Sequence, residues 1–127
     1  MSWQPYVDGN LIGTGKVAKA AIFGRDGSLW ATSNNFSIGA AEVHTLIKAF
    51  EDTNDIQANG LYLEGKKYFY LRSGDNNSIY ARLGASGVTC VPTNQAILIG
   101  QYAENMQAGD CTVVVEALGD YLRGQGY

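Results

Sequence analysis

Apolar residues change their spacing along the chain, and the changes mark its elements. Trp3, Tyr6, Val7 and Leu11 fall at i, i+3, i+4 and i+8, one stripe of a short helix. Ser2 suits the N-cap, because its hydroxyl accepts a bond from an unpaired N–H of the first turn. Pro5 then falls within that turn, where its missing N–H costs nothing, and Gly13 and Gly15 end the helix. Ala20 to Gly24 reads as a buried strand; Asp26-Gly27 is a hairpin signal, and Leu29 to Ser33 returns from it. Alternation sends Leu29 and Trp30 to opposite faces. Val43, Leu46, Ile47 and Phe50 then repeat at helical spacing, before a polar stretch from Asp52 to Asn59 that reads as a loop with room for one helical turn at Asp55.

From Leu61 the period becomes that of strands. Leu61–Leu63 turns at Glu64-Gly65 into Lys66–Ser73, and Gly74 to Asn77 turns into Ser78–Leu83. Gly84 to Gly87 leads into Val88–Val91, which Pro92 stops, since proline cannot donate to a ladder. Ala96 to Gly100 is apolar throughout, as a central strand covered on both faces is. Val114, Ala117, Leu118, Tyr121 and Leu122 form a last helical stripe from about Gly109-Asp110, followed by Arg123 to Tyr127. The tight turns predict an antiparallel meander, with the two terminal helices on one face and the Val43–Phe50 helix elsewhere. The fold class is therefore α+β, with shorter helices on the face opposite the terminal pair. The aromatic residues at the two ends read in two ways. They are core, or two adjacent helices hold them in solvent as a binding platform.

Length bounds this to a single domain over 1–127, able to form its core without disulfide or metal support. A formal charge of −3 predicts no nucleic-acid partner, which would require a dense basic surface. No apolar run reaches membrane-spanning length and no hydrophobic leader opens the sequence, so a cytoplasmic protein is expected. Asn35-Phe36-Ser37 and Asn76-Asn77-Ser78 match the glycosylation pattern, and in that compartment they are chance matches. Gly60 to Lys67 falls one residue short of a phosphate-binding loop and has Lys67 where magnesium needs a hydroxyl, so a hairpin is expected. Asp52-Thr53-Asn54 opens like a calcium loop, but Ile56 and Gln57 occupy the next ligand and glycine positions. His44 is the lone histidine and fits the side of an amphipathic helix; a pairing with Cys90 or Cys111 stays open. No cofactor, metal or enzymatic activity is expected.

Taken together, Ser2-Trp3-Gln4-Pro5-Tyr6-Val7-Asp8, Ala21-Ile22-Phe23-Gly24, Asp26-Gly27-Ser28-Leu29-Trp30-Ala31, Ser78-Ile79-Tyr80 and Val115 to Leu122 (Val-Glu-Ala-Leu-Gly-Asp-Tyr-Leu) resemble the profilin family, amoeboid and plant-type members in particular. The resemblance covers the whole chain in order. It implies a monomer that binds monomeric actin and regulates its polymerisation, and that binds proline-rich segments of actin-assembly factors such as formin-type proteins. It also implies promotion of nucleotide exchange on actin and, in many members, phosphoinositide binding. That last property is expected to be weak here, given the charge and only 9 Lys plus Arg.

For proline-rich ligands the resemblance implies Trp3, Tyr6, Trp30, Tyr121, Leu122 and Tyr127, with Tyr121 standing where many animal members have histidine. Flat rings suit proline, and Trp N–H and Tyr O–H groups suit the carbonyls that a polyproline II helix leaves unpaired. Tyr127 follows Gly124 and Gly126 and is expected to become ordered only on binding. For actin it implies Lys67, Tyr70, Arg72, Arg82, Gln107, Gly109 and Thr112. Pro92, where lysine is common, and Gln107-Ala108-Gly109, which lacks the usual proline, are departures expected to weaken actin or lipid contact. Two other classes remain: a thiol enzyme using Cys90 or Cys111, and a phosphoinositide-binding module.

Overall fold

The computed structural model describes residues 3–34 and 36–127. Its strands are β1 (Lys19–Gly24), β2 (Leu29–Thr32), β3 (Leu61–Leu63), β4 (Lys66–Ser73), β5 (Ile79–Leu83), β6 (Ser86–Pro92) and β7 (Ala96–Tyr102). The helices are α1 (Ala40–Ala49), α2 (Asn54–Asn59) and α3 (Ala108–Gly124), preceded by a wound N-terminal segment, Tyr6–Leu11. All strand pairs are antiparallel, in the order β2-β1-β7-β6-β5-β4-β3. The expected meander is thus β3 to β7, and the first hairpin joins its free edge through β1.

Two cores lie on the two faces of this sheet, and the alternation of β7 divides it between them. Ile97 and Ile99 join Val43, Leu46 and Ala49 of α1 and Ile56 of α2 on one face. Ala96 and Leu98 join Val7, Leu11 and the buried stripe of α3 on the other. Truncating Ile99, which is fully buried, to alanine would cost about 2–5 kcal/mol. On the terminal-helix face α3 lies close on the sheet because Gly100 has no side chain. A Cβ there would stand 2.4 Å from Val115 Cγ2.

Local chemistry explains where the elements differ from the sequence reading. The N-terminal segment is wound wider than an α-helix, with the Ile12 N–H reaching the Val7 carbonyl, and Ser2, its expected cap, lies outside the described residues, as does Asn35. The Asp52–Asn59 stretch holds more helix than expected, α2, nucleated where Ile56 buries itself in the core. The Asp26-Gly27 hairpin has a four-residue loop, because the Asp26 carboxylate accepts the Ser28 N–H at 3.0 Å and closes a turn through its side chain. Gly60 to Lys67 is the expected hairpin. Its turn holds Glu64 at φ +55, and Glu42 of α1 stabilises this by accepting from the N–H groups of Glu64 (2.9 Å) and Gly65 (2.8 Å).

Candidate functional site

Two sets of side chains stand out on the terminal-helix face, one near each end of α3. The first is aromatic. Trp3 lies against three rings: Trp30 at 4.7 Å between centroids, Tyr127 edge-on at 5.0 Å and Tyr6 at 5.5 Å. Tyr6 continues the row to Tyr121 at 6.3 Å. These spacings are those of favourable ring pairs. Trp3, Tyr6, Trp30 and Tyr127 are packed against the core yet only partly buried, and Tyr121 at the end of the row is 51 % exposed. The terminal aromatics are therefore neither wholly core nor wholly exposed. Leu122 is 0 % exposed, so it supports the row from beneath and presents nothing to a ligand.

Each ring has a local reason to be there. The Gln4 side-chain amide donates to the Thr32 carbonyl at 2.9 Å, tying the N-terminal segment to β2. On β2, Leu29 pairs with Phe23 and Ala31 with Ile22, which leaves Trp30 as the extra residue of a bulge, a device that re-aims a side chain. The Trp30 indole N–H donates to Ser28 Oγ at 3.2 Å, so this one of the expected indole donors is used within the protein. Tyr127 is already ordered, contrary to the expectation from its flanking glycines. Its carbonyl accepts from Thr93 Oγ1 at 2.8 Å and from the Gln95 N–H, and its own N–H donates to the Leu122 carbonyl at 2.9 Å. Burial first, then the phenols of Tyr121 and Tyr127, pushes the Tyr6 hydroxyl above the ordinary tyrosine value. It stays a neutral donor at physiological pH.

The second set is basic and apolar, built on β4, β5 and the start of α3. A bulge organises it too. Tyr70 pairs with Ala81 and Arg72 with Tyr80, so Leu71 is the extra residue. Without the bulge, Tyr70 and Arg72 would share a face. With it, Tyr70 packs on the α1 side, its hydroxyl 2.7 Å from Ser73 Oγ, while Arg72 lies over the Tyr80 ring at 4.3 Å on the α3 side. Tyr70 is thereby separated from the other candidates. The Tyr80 hydroxyl donates to the Glu116 carboxylate, and burial followed by that charge pushes its pKa up to about 12. Arg82 stands opposite Phe69 and donates from Nε to the Gly84 carbonyl at 3.0 Å. Lys67 lies over the Phe69 ring at 5.3 Å. Thr112 shares a hydroxyl contact with Thr89 at 3.0 Å, and Gln107 and Gly109 are exposed at the head of α3.

Phe69 and Leu71, 58 % and 52 % exposed, belong to this patch and were missed. Alternation alone gives Phe69 the outward face of Lys67, which was the available signal. The same alternation gives Leu71 that face, whereas Arg72 joins it only through the bulge. Thr112 and Tyr121 are nine residues apart on α3, which at about 100° and 1.5 Å per residue puts them on opposite sides of the helix and roughly 13 Å apart along it. One helix thus serves both sets.

The remaining chemistry is quiet. Both cysteines are fully buried, which pushes the Cys111 thiol up to about 12 and raises Cys90 as well, leaving neither as a nucleophile. His44 is exposed on α1 beside Gly27. Among the described residues no three of His, Cys, Asp or Glu gather as a metal set would, and no helix is long and apolar enough to cross a membrane.

Comparison with known proteins agrees across the whole chain. Residues 1–127 match the Profilin family model. Profilin-2 of Acanthamoeba castellanii is 50 % identical over 127 residues, and profilin of Saccharomyces cerevisiae is 47 % identical over 128, each with full coverage of both chains. Among solved structures, Acanthamoeba castellanii profilin IB superposes with a TM-score of 0.94 at 51 % identity, covering 99 % of this chain and 100 % of that one. Mouse profilin IIa, solved in complex with a double repeat from the FH1 domain of mDia1, shares the fold at a TM-score of 0.85 and 23 % identity, over 100 % of both chains.

Proposed function

Because the chain belongs to the profilin family, a family of actin-binding regulators, we propose that it joins actin monomers to proline-rich segments through the two surfaces described above. The observation that carries this reading is the row of five rings from Trp30 to Tyr121, four of them partly buried against the core and Tyr121 exposed. A polyproline II segment presents flat rings and unpaired carbonyls, and its backbone entropy is already restricted before binding. Ring faces supply contact area, and the hydrogen-bonded Tyr6 and Tyr121 pair leaves one hydroxyl proton to donate. The complex of mouse profilin IIa with a double repeat from the FH1 domain of mDia1 supports this reading.

Actin is assigned to the patch of Lys67, Phe69, Leu71, Arg72, Arg82 and the head of α3. It combines exposed apolar side chains with cations held in place by rings and carbonyls, a mixture typical of protein interfaces. Promotion of nucleotide exchange on actin belongs to the same contact. Weak phosphoinositide binding belongs to its cations, and it should fall steeply with salt.

The test is a pair of titrations on one preparation. Tryptophan emission should change with polyproline and stay constant with a glycine-serine peptide of equal length, while polarisation detects binding to labelled actin monomers. Silence in the first would reduce the rings to packing; silence in the second would remove the actin assignment.

A further inference from the structure

We propose that the turn between β1 and β2 is a positioning device for the aromatic row, with Asp26 and Ser28 holding Trp30 in its binding pose; this rests on the proline-binding reading. The observations form one connected path. The Trp30 indole N–H donates to Ser28 Oγ at 3.2 Å, Ser28 Oγ donates to Asp26 Oδ1 at 2.6 Å, and the Ser28 N–H donates to the same oxygen at 3.0 Å. The Ser28 hydroxyl thus accepts from the indole because its own proton is committed to the carboxylate. Those two donors hold the Asp26 carboxyl below the ordinary aspartate value, so it stays an acceptor through the physiological range.

Space for the path is reserved. A Cβ on Gly24 would lie 2.8 Å from Asp26 Oδ1, 2.9 Å from Trp30 Nε1 and 3.0 Å from Ser28 Oγ, meeting all three members at once. The same turn is fastened to the one that holds the far ring. The Arg25 N–H donates to the Gln95 carbonyl at 3.1 Å and its guanidinium to the Thr93 carbonyl at 3.2 Å, while Thr93 and Gln95 hold the Tyr127 carbonyl. Trp30 and Tyr127, both packed against Trp3, are therefore set by two linked turns that lie outside the row itself. Trp30 needs this most, since it sits on a bulge of the edge strand β2 and has no ladder neighbour to fix it. Released, it would have to be ordered by the ligand, and the lost rotamer freedom would weaken binding.

The test compares Ser28→Ala, Ser28→Thr and Gly24→Ala with the wild-type protein, using decaproline and labelled actin monomers. Ser28→Ala should bind decaproline about five- to tenfold more weakly, the scale of one hydrogen bond, and lose indole ellipticity in the near ultraviolet. Ser28→Thr, which keeps the hydroxyl, should bind as the wild type does. Gly24→Ala should be at least as weak as Ser28→Ala. Actin affinity should be unchanged in all three. Wild-type decaproline affinity in Ser28→Ala and Gly24→Ala would overturn the proposal and leave the platform reading standing. Parallel loss of actin and decaproline binding would overturn it as well, by making the turn a general structural element. No decaproline binding by the wild type would remove the platform reading and this proposal together.

Discussion

The aromatic row and the basic-apolar patch lie on the same face of one sheet and share one helix, yet they are stabilised differently. The row is made of rings that pack on one another, so its members fix each other's positions. The patch is made of side chains that each lean on a separate partner: Arg72 on Tyr80, Lys67 on Phe69, Arg82 on the Gly84 carbonyl. A row of mutually packed rings loses its geometry when its centre is removed. A patch of separately held groups loses only the contact that is deleted.

Trp3→Ala tests the first half of that contrast, and the largest effect is expected there. Trp3 touches three other rings, so its loss should weaken decaproline binding by about 2–4 kcal/mol, read by isothermal calorimetry. Tyr127→Ala should come next, at about 1–2 kcal/mol, the scale of an interface aromatic at the edge. Its ring is ordered before binding, so the effect is larger than its flanking glycines suggest.

In the patch, Arg72→Glu should weaken actin binding by about 2 kcal/mol through a reversed charge and leave decaproline affinity unchanged. Phe69→Ala should cost actin binding about 1 kcal/mol, without affecting Arg72, which stacks on a different ring. Loss of proline binding in either variant, with circular dichroism preserved, would break the separation of the two sites.

The smallest expected effect concerns Tyr80. Its pKa is raised from 10.0 to about 12 by burial and by Glu116. Above pH 10 the unfolded chain ionises while the folded phenol keeps its proton, so stability falls between those two values and is fully retained below them. Tyr80→Phe has nothing to ionise there and should show a shallower alkaline decline in urea melts.

The fold was legible because period and punctuation agreed. The apolar run Ala96 to Gly100 marked the central strand, and the turn glycines and Pro92 marked the strand ends. The aromatic row was largely legible too, since Trp3, Tyr6, Tyr121 and Tyr127 stand near the ends of the sequence, and large rings there need a reason. What sequence could not show are the two bulges. One makes Trp30 the extra residue of β2, and the other makes Leu71 the extra residue of β4, which reverses the face of Arg72 relative to Tyr70. A bulge shifts parity by one residue without a composition of its own, so alternation alone would leave Arg72 on the side of Tyr70 and away from Lys67 and Phe69. The ordering of Tyr127 was hidden for a similar reason, because its hydrogen-bond partners, Thr93 and Gln95, are more than thirty residues away in sequence.

Independence of the two surfaces is tested most directly by measuring decaproline affinity with and without saturating actin monomers. The account predicts the same dissociation constant within about twofold, because the sites lie on opposite sides of α3 and share no side chain. Mutual exclusion, with decaproline displacing actin from the complex, would contradict it.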